Sequence, residues 1–484
     1  MKKWILVITT TATVLCSNAQ PLPPGATLRG DSATIPASLK YDNPSFFKRL
    51  FLGKNYRSAW AKPVKLPVFH LKDMNLKIKE LGGGQQTKSL RLTDNTGHEW
   101  ALRTIDKDVE KALSLRMQNT FAEKVVQDMI SGAHPYAPLT IPTMAQAAGI
   151  NTADPVFFYI PDDPAFGEFN AIFKNTICML EDREPTADRS DTKSTQTFVE
   201  AILKDNDVQI DEAAVLRARL LDKLIGDWDR HQDQWRWDYK KVGGVNYGYA
   251  IPRDRDQAYF YSKGLLVKLA RMVAMKHLVG FAKNTSKLRK LNAKSWNFDR
   301  TFLADLDATD WEGIIDSFII SLPDETIRQA VEKMPPEVYP LHGPQIEKKL
   351  ISRRNSLKKD ALKYQRFLAS QVTITGTDEP DRFELQTTKD SIKVIQYTGT
   401  DFSKTGYQRT FHRRDTYQIS ILGLDEADEF IQTGPPSRIR LQLDGGKGKN
   451  VFEGTTHRKT KFYNSDSDAK SYVAVLKKTL KIKD

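Results

Sequence analysis

Gly226 to Trp235 reads GDWDRHQDQW and Ala250 to Phe260 reads AIPRDRDQAYF, and these two stretches decide how the rest of the chain is interpreted. In the first, Asp227, Asp229 and Asp233 crowd together with Arg230 and His231 directly after an apolar helical pattern. In the second, Asp254 and Asp256 follow the strand-like YGYAI, itself preceded by a turn at Gly243-Gly244. Like carboxylates repel and resist ionising together, so a cation or a hydrogen-bonding substrate is the usual reason to cluster them. Two such loops predict one shared site, in which one carboxylate accepts a proton from a substrate hydroxyl and another holds a hard cation through oxygen. The competing structural reading makes both loops ordinary surface, with the acids paired to Arg230, Arg236, Arg253 and Arg255. A helix-loop-helix calcium loop is excluded, because Gln232 takes the sixth position counted from Asp227, where such loops need glycine.

Working outward, Asp211 suits the N-cap of a helix carrying Ala214, Leu216, Leu220, Leu221, Leu224 and Ile225, and Gly226 suits its C-terminus. Further upstream, LKIKEL, TKSLRLTD and HEWALRTID between Leu76 and Asp106 predict an antiparallel meander with a first turn at Gly82, Gly83 and Gly84. Gly82 to Ser89, GGGQQTKS, falls one glycine short of a nucleotide P-loop, with Thr87 in its place. A P-loop must lead into a helix, whereas Ser89 leads into a hairpin, so the glycines fit a turn lying over phosphates or a plain structural turn. Leu113, Met117, Phe121, Val125 and Met129 recur every four residues and predict an amphipathic helix ended by Gly132 and Pro135. A buried strand is predicted at Asn175 to Leu180, followed by a polar linker from Asp182 to Thr195. From Leu265 to about Ala369 the pattern is helical and basic, and after Ser370 it alternates Thr, Ile, Val and Tyr, which marks a β-rich region.

The order of glycine-rich hairpin, strand with a basic residue, amphipathic helix, D-R-H-x-D-x-W loop and D-x-D-x-x-x-F loop resembles the atypical kinases of the spore-coat CotH, HipA and secreted Fam20 type, over roughly Leu76 to Leu350. The resemblance implies an α+β, bilobal protein-kinase-like fold, with a small antiparallel-sheet N-lobe and a mainly helical C-lobe, here followed by a C-terminal β-rich domain. It implies ATP or another nucleotide and magnesium as cofactors. By resemblance the catalytic base falls on Asp229 and the magnesium ligand on Asp254, with Asp256 a second ligand. Gln234 takes the place of the family's metal-binding Asn. The phosphate-binding lysine falls by register on Arg103, with Lys107 nearby. Arginine carries the charge but lacks lysine's compact geometry. Glu123 is the implied partner of that basic residue, and Met179-Leu180-Glu181 resembles the hinge that holds an adenine ring.

MKKWILVITTTATVLCSNAQ has the charged start, short apolar run and small-residue end of an export leader, with cleavage before Gln20. Leu15 stands before Cys16, where a lipidation site wants a small side chain. Removing the leader leaves Cys178 alone, so no intrachain disulfide is available. At 484 residues, 40% of them hydrophobic, the chain exceeds a single domain and can bury real cores. The expected organisation is a leader over 1–19, an arm over 20–73, a kinase-like region over 74–369 with lobes at about 74–181 and 195–369, and the β-rich region over 370–484. Two segments of the last region, GLDEADEF from Gly423 and LDGGKGKNVF from Leu443, resemble degenerate β-roll turns, with Asn450 where calcium binding needs aspartate.

Lys and Arg exceed Asp and Glu by 13, which suits a solvated basic surface or attraction to an anionic envelope surface, but no nucleic-acid motif with interleaved aromatics accompanies it. No segment of the mature chain has the apolar length of a transmembrane helix. The expected protein is exported, periplasmic or associated with the outer membrane, and transfers a phosphoryl or nucleotidyl group to a hydroxyl of a protein or envelope acceptor. The alternative is an inactive kinase-fold module, a pseudokinase, that binds an anionic or phosphorylated envelope component.

Overall fold

The computed structural model describes residues 22–23, 26–82, 88–110, 118–186, 190–273, 275–399, 401–454, 458–466 and 468. The expected leader, Gly83 and Gly84, and Leu113 and Met117 lie outside these. Among the described residues no helix is long and apolar enough to cross a membrane.

The chain is mixed α/β with largely antiparallel sheets in its first two thirds. Residues before the first large sheet pair as two short strands, Ser32–Pro36 and Pro63–Pro67, and bury Tyr41 and Trp60 against the helical body. The five-stranded sheet then forms from β1 (Leu76–Gly82), β2 (Ser89–Asp94), β3 (Glu99–Thr104), β4 (Val156–Ile160) and β5 (Thr176–Asp182), in the spatial order β1-β2-β3-β5-β4. Alternation explains it: Leu90, Leu92, Trp100, Leu102, Phe158, Cys178 and Leu180 share one buried face and pack against Phe69, Phe166 and Phe173. The opposite face carries Arg103, which pairs in register with Met179 of β5. Between β3 and β4 lies α1 (Phe121–Met129), whose Thr120 cap accepts from the Glu123 amide.

Below this sheet, α2 (Glu212–Ile225) is the central buried helix, with Val215, Leu216, Leu220, Leu221, Leu224 and Ile225 fully enclosed. Asp211 caps its start through Ala214 N at 2.8 Å. Gly226 ends it at φ 75°, a left-handed conformation in which a Cβ would also meet the Phe281 ring at 3.2 Å. The orphan carbonyls at this end go to Arg353 of α3 (Tyr339–Ala369), which donates to Leu224 O and Lys223 O, both at 2.6 Å. The chain leaving α2 runs through the first acidic loop into the hairpin β6 (Trp235–Val242) and β7 (Val245–Pro252), and then into the second.

After α3 the alternating pattern does form strands, but their pairing is parallel. β8 (Gln371–Thr375), β9 (Arg382–Thr387), β10 (Ser391–Thr398), β11 (Lys404–His412), β12 (Gln418–Leu422), β13 (Glu429–Thr433), β14 (Arg440–Asp444), β15 (Val451–Glu453) and β16 (Thr460–Tyr463) build two facing sheets. One runs β8-β12-β14-β16, all parallel, and the other carries parallel β9-β13-β15 with β10 and β11 added antiparallel. A side-chain ladder joins successive coils at their turns: Asp381 N donates to Asp428 Oδ1 and Asp428 N to Asn450 Oδ1, each at 2.9 Å. Asn450 therefore has a structural place as a rung. The stacked coils enclose their own apolar core, Phe383, Leu385, Ile419, Ile421, Phe430, Leu441 and Leu443.

Candidate active site

One buried carboxylate holds the two acidic loops together. Asp222, on α2 and fully enclosed, accepts from Arg219 Nη1 at 2.8 Å, from Arg230 Nε at 3.2 Å and from Arg255 Nε at 2.9 Å. Arg230 belongs to the first loop and Arg255 to the second. Burial alone would push the Asp222 carboxyl up, but Arg230, Arg255 and Arg219 outweigh it and hold it well below its ordinary value. Arg230 also donates to Arg253 O and to Gln234 O. Of the arginines that the surface reading would pair with the loop acids, two therefore converge on Asp222, and a third, Arg236, reaches Glu184. These arginines fix the loop backbones and leave Asp229, Asp254 and Asp256 facing a cavity.

That cavity, about 200 Å³, is lined by Arg103 and Lys107 from the sheet side and by Asp229, Asp254 and Asp256 from below, with apolar walls from α1. Arg103 spans the gap: Nε lies 3.1 Å from Glu181 Oε1 on β5 and Nη1 lies 3.1 Å from Asp254 Oδ2. Lys107 forms an ion pair with Asp256. Asp254 adopts φ 54°, left-handed backbone that aspartate tolerates better than most side chains, and Tyr259 in the same loop has φ 61°. Withdrawal from water would raise the Asp254 carboxyl, yet Arg103, Lys107, Arg253 and Arg230 depress it, so it stays ionised. Asp256 shows the opposite balance: burial and the charge on Asp254 push it up to about 6 against Lys107.

Asp229 is only half-buried. Its backbone N–H donates to Asp227 Oδ1 at 3.0 Å, and its carboxylate pairs with Lys294 at 3.1 Å. Asp227 itself is buried, its Oδ2 without a hydrogen-bond partner, and burial, reinforced by Asp222, pushes it up to about 7 against Arg230. Lys294 lies 4.6 Å over the Trp228 ring, which fixes the side chain above the loop.

The other expected site residues fall as follows. Gln234 reaches Asp254 through its amide nitrogen, 3.5 Å from Oδ2, with the amide assigned as a donor there. Gly82 ends β1 with the Arg91 side chain against it. Glu123 departs from expectation: it accepts from Asn119 N at the start of its own helix, and Arg103 takes Glu181 and Asp254 instead. A carboxylate three residues past a Thr cap satisfies its own helix end, which competes with a reach across to β3. Glu181, expected at a hinge, is the partner of Arg103. Lys294 and Asp222 were missed. Lys294 is 65 residues from Asp229 and carries no local signal. Asp222 had one, as a charge inside the apolar run of α2.

No protein-family model matches the chain, and no curated protein matches it. Several solved structures can be aligned with it. A Helicobacter pylori proinflammatory kinase, CtkA, aligns at 11% identity and TM-score 0.34 over 62% of this chain and 98% of that one. HipA from a Shewanella oneidensis toxin-antitoxin complex aligns at 10% and 0.30, over 70% and 76%. A Rio2 kinase from Chaetomium thermophilum, in a complex with ADP, Mg²⁺ and phosphoaspartate, aligns at 10% and 0.21, over 66% and 83%. Superpositions this loose carry no argument about function.

Proposed function

We propose that this protein is an exported kinase-like phosphotransferase that moves a phosphoryl or nucleotidyl group from a nucleotide to a hydroxyl of a protein or envelope acceptor, using magnesium. The observation that carries this reading is the convergence of Arg103 and Lys107 from the sheet, Asp229 from the first loop and Asp254 and Asp256 from the second on one cavity. The sheet order β1-β2-β3-β5-β4, followed by helix, acidic loop, hairpin and acidic loop, supports the resemblance to atypical kinases.

The donor set fits the cofactors. Among the described residues no three acids, histidines or cysteines gather to hold a metal by themselves. Magnesium is ordinarily held by one or two carboxylates together with substrate phosphates, and Asp254 and Asp256 are such a pair. When bound, the ion neutralises charge on the phosphate oxygens. The chain's own groups do the rest. Arg103 and Lys107, now on Asp254 and Asp256, are the cations available to phosphate, and Glu181 orients Arg103. Asp229 takes the proton of the acceptor hydroxyl, its backbone held by Asp227.

The test is nucleotide binding followed by transfer. ATP with magnesium is expected to raise the thermal midpoint of the full chain, and Asp254→Ala to remove that response. Asp229→Asn is expected to keep the thermal response and lower the rate of transfer by at least about 100-fold, as loss of a general base does. A parent protein indifferent to ATP and magnesium would overturn the reading, and transfer by Asp229→Asn at the parent rate would remove Asp229 from its role.

A further inference from the structure

A second cavity, about 460 Å³ against about 200 Å³ at Asp229, opens where the helical body meets β8 and β12. Its floor is the outer face of these two strands. Alternation turns Val372, Ile374, Ile419 and Ile421 towards the core and leaves Gln371, Thr373, Thr375, Gln418 and Ser420 outward, so the outward side chains of the floor are amides and hydroxyls, with Val372 and Ile374 bordering the cavity between them. The opposite wall has an aliphatic stretch, Leu203, Val208 and Ile210, beside polar Gln209, Asn297 and Thr301, and includes Asn206, whose Nδ2 is enclosed without a hydrogen-bond partner. The two walls are fixed to each other. Asp378 N, just past β8, donates to Leu203 O of the opposite wall at 2.8 Å.

Charge narrows what can enter. Among the described residues Arg300 is the single basic side chain of the lining, against Glu212 and Asp305, and its guanidinium stacks 4.7 Å over Trp296. The Glu212 carboxylate already accepts from Asp305 N and Leu306 N. Burial and the neighbouring Asp305 push the Glu212 carboxyl up, so an anionic ligand would meet a lining in which Asp305 offsets Arg300 and no net positive charge is offered. The floor groups both donate and accept hydrogen bonds, which matches hydroxyl groups, and an aliphatic wall suits a C–H face. The volume falls within the roughly 300–1,000 Å³ of small-molecule sites.

We propose that this cavity binds a neutral, hydroxyl-rich small molecule of monosaccharide or disaccharide size, its hydroxyls on the β8–β12 floor and its C–H face on Leu203, Val208 and Ile210. The site is separate from Asp229 and does not depend on phosphotransfer.

Thermal unfolding of the full chain with glucose, maltose, cellobiose and N-acetylglucosamine, and with inorganic phosphate as the contrast, tests it. At least one sugar is expected to raise the midpoint by about 2–4 °C at saturating concentration, and phosphate to leave it unchanged. Thr373→Trp fills the cavity from an exposed floor position and should abolish the sugar shift, and Ser420→Leu provides a second blocked variant if the first folds poorly. No shift with any sugar overturns the proposal. A shift with phosphate alone, or a sugar shift that survives both substitutions, overturns it equally.

Discussion

Asp227 and Asp229 are two residues apart and differ sharply in environment. Asp229 keeps partial access to solvent and a lysine partner, whereas Asp227 is enclosed with one oxygen unsatisfied. The folded chain holds the Asp227 proton up to about pH 7, while the unfolded chain releases it near the ordinary value of 3.8. Its contribution is therefore full below that ordinary value and is lost as pH rises towards 7, at a cost on the order of a few kcal/mol. Asp227→Asn keeps an oxygen for Asp229 N and cannot ionise. Chemical denaturation of parent and variant across this range should show the variant losing less stability with rising pH than the parent, since Asp256 and Asp428 titrate in both, and equal slopes would mean that Asp227 is not protonated in the fold.

At the scale of elements, the same reasoning applies to the ladder that stitches the parallel coils. Asp428 is fully buried, and burial, with Asp381, Asp425 and Glu426 nearby, pushes it up to about 8 against the hydrogen bond from Asp381 N. Its Oδ2 has no partner, while the next rung, Asn450, places an amide at the equivalent position. A raised carboxyl stabilises when protonated, so this contribution fades as pH rises from 3.8 towards about 8. Asp428→Asn is expected to raise the thermal midpoint above pH 8 and to change it little in acid. A lower midpoint for the variant at alkaline pH would show that the ionised carboxylate is accommodated. The alternating sequence after Ser370 made the strands legible, since alternation places every second side chain inward. It could not show that they pair in parallel, because both sheet types bury one face in the same period.

Across the whole molecule, Asp299 joins three segments that are far apart in sequence. It accepts from Arg219 of α2 at 2.5 Å and from Tyr364 of α3 at 2.8 Å, and lies 3.4 Å from Lys223, with no exposure to solvent. Removing it takes from Lys223 its carboxylate partner and leaves Arg219 with Asp222 alone, so Asp299→Ala is expected to cost about 3–5 kcal/mol in urea unfolding. A loss below about 1 kcal/mol would mean that water reaches the cluster.

The sequence by itself determined the meander β1 to β3, the buried strand β5, the caps at Asp211 and Gly226 and the two acidic loops, because each rests on neighbouring residues and on spacing along one element. The assignment of Glu123 failed for the same reason that local rules succeed elsewhere: its nearest unsatisfied donor belonged to its own helix. Tertiary structure alone decided that Arg103 bridges Glu181 to Asp254, that Lys294 meets Asp229, and that Asp222 gathers the loop arginines. A charge withdrawn from water takes whatever opposite charge the packed chain brings within reach, and that distance is set by how the elements fold together and not by their separation in sequence.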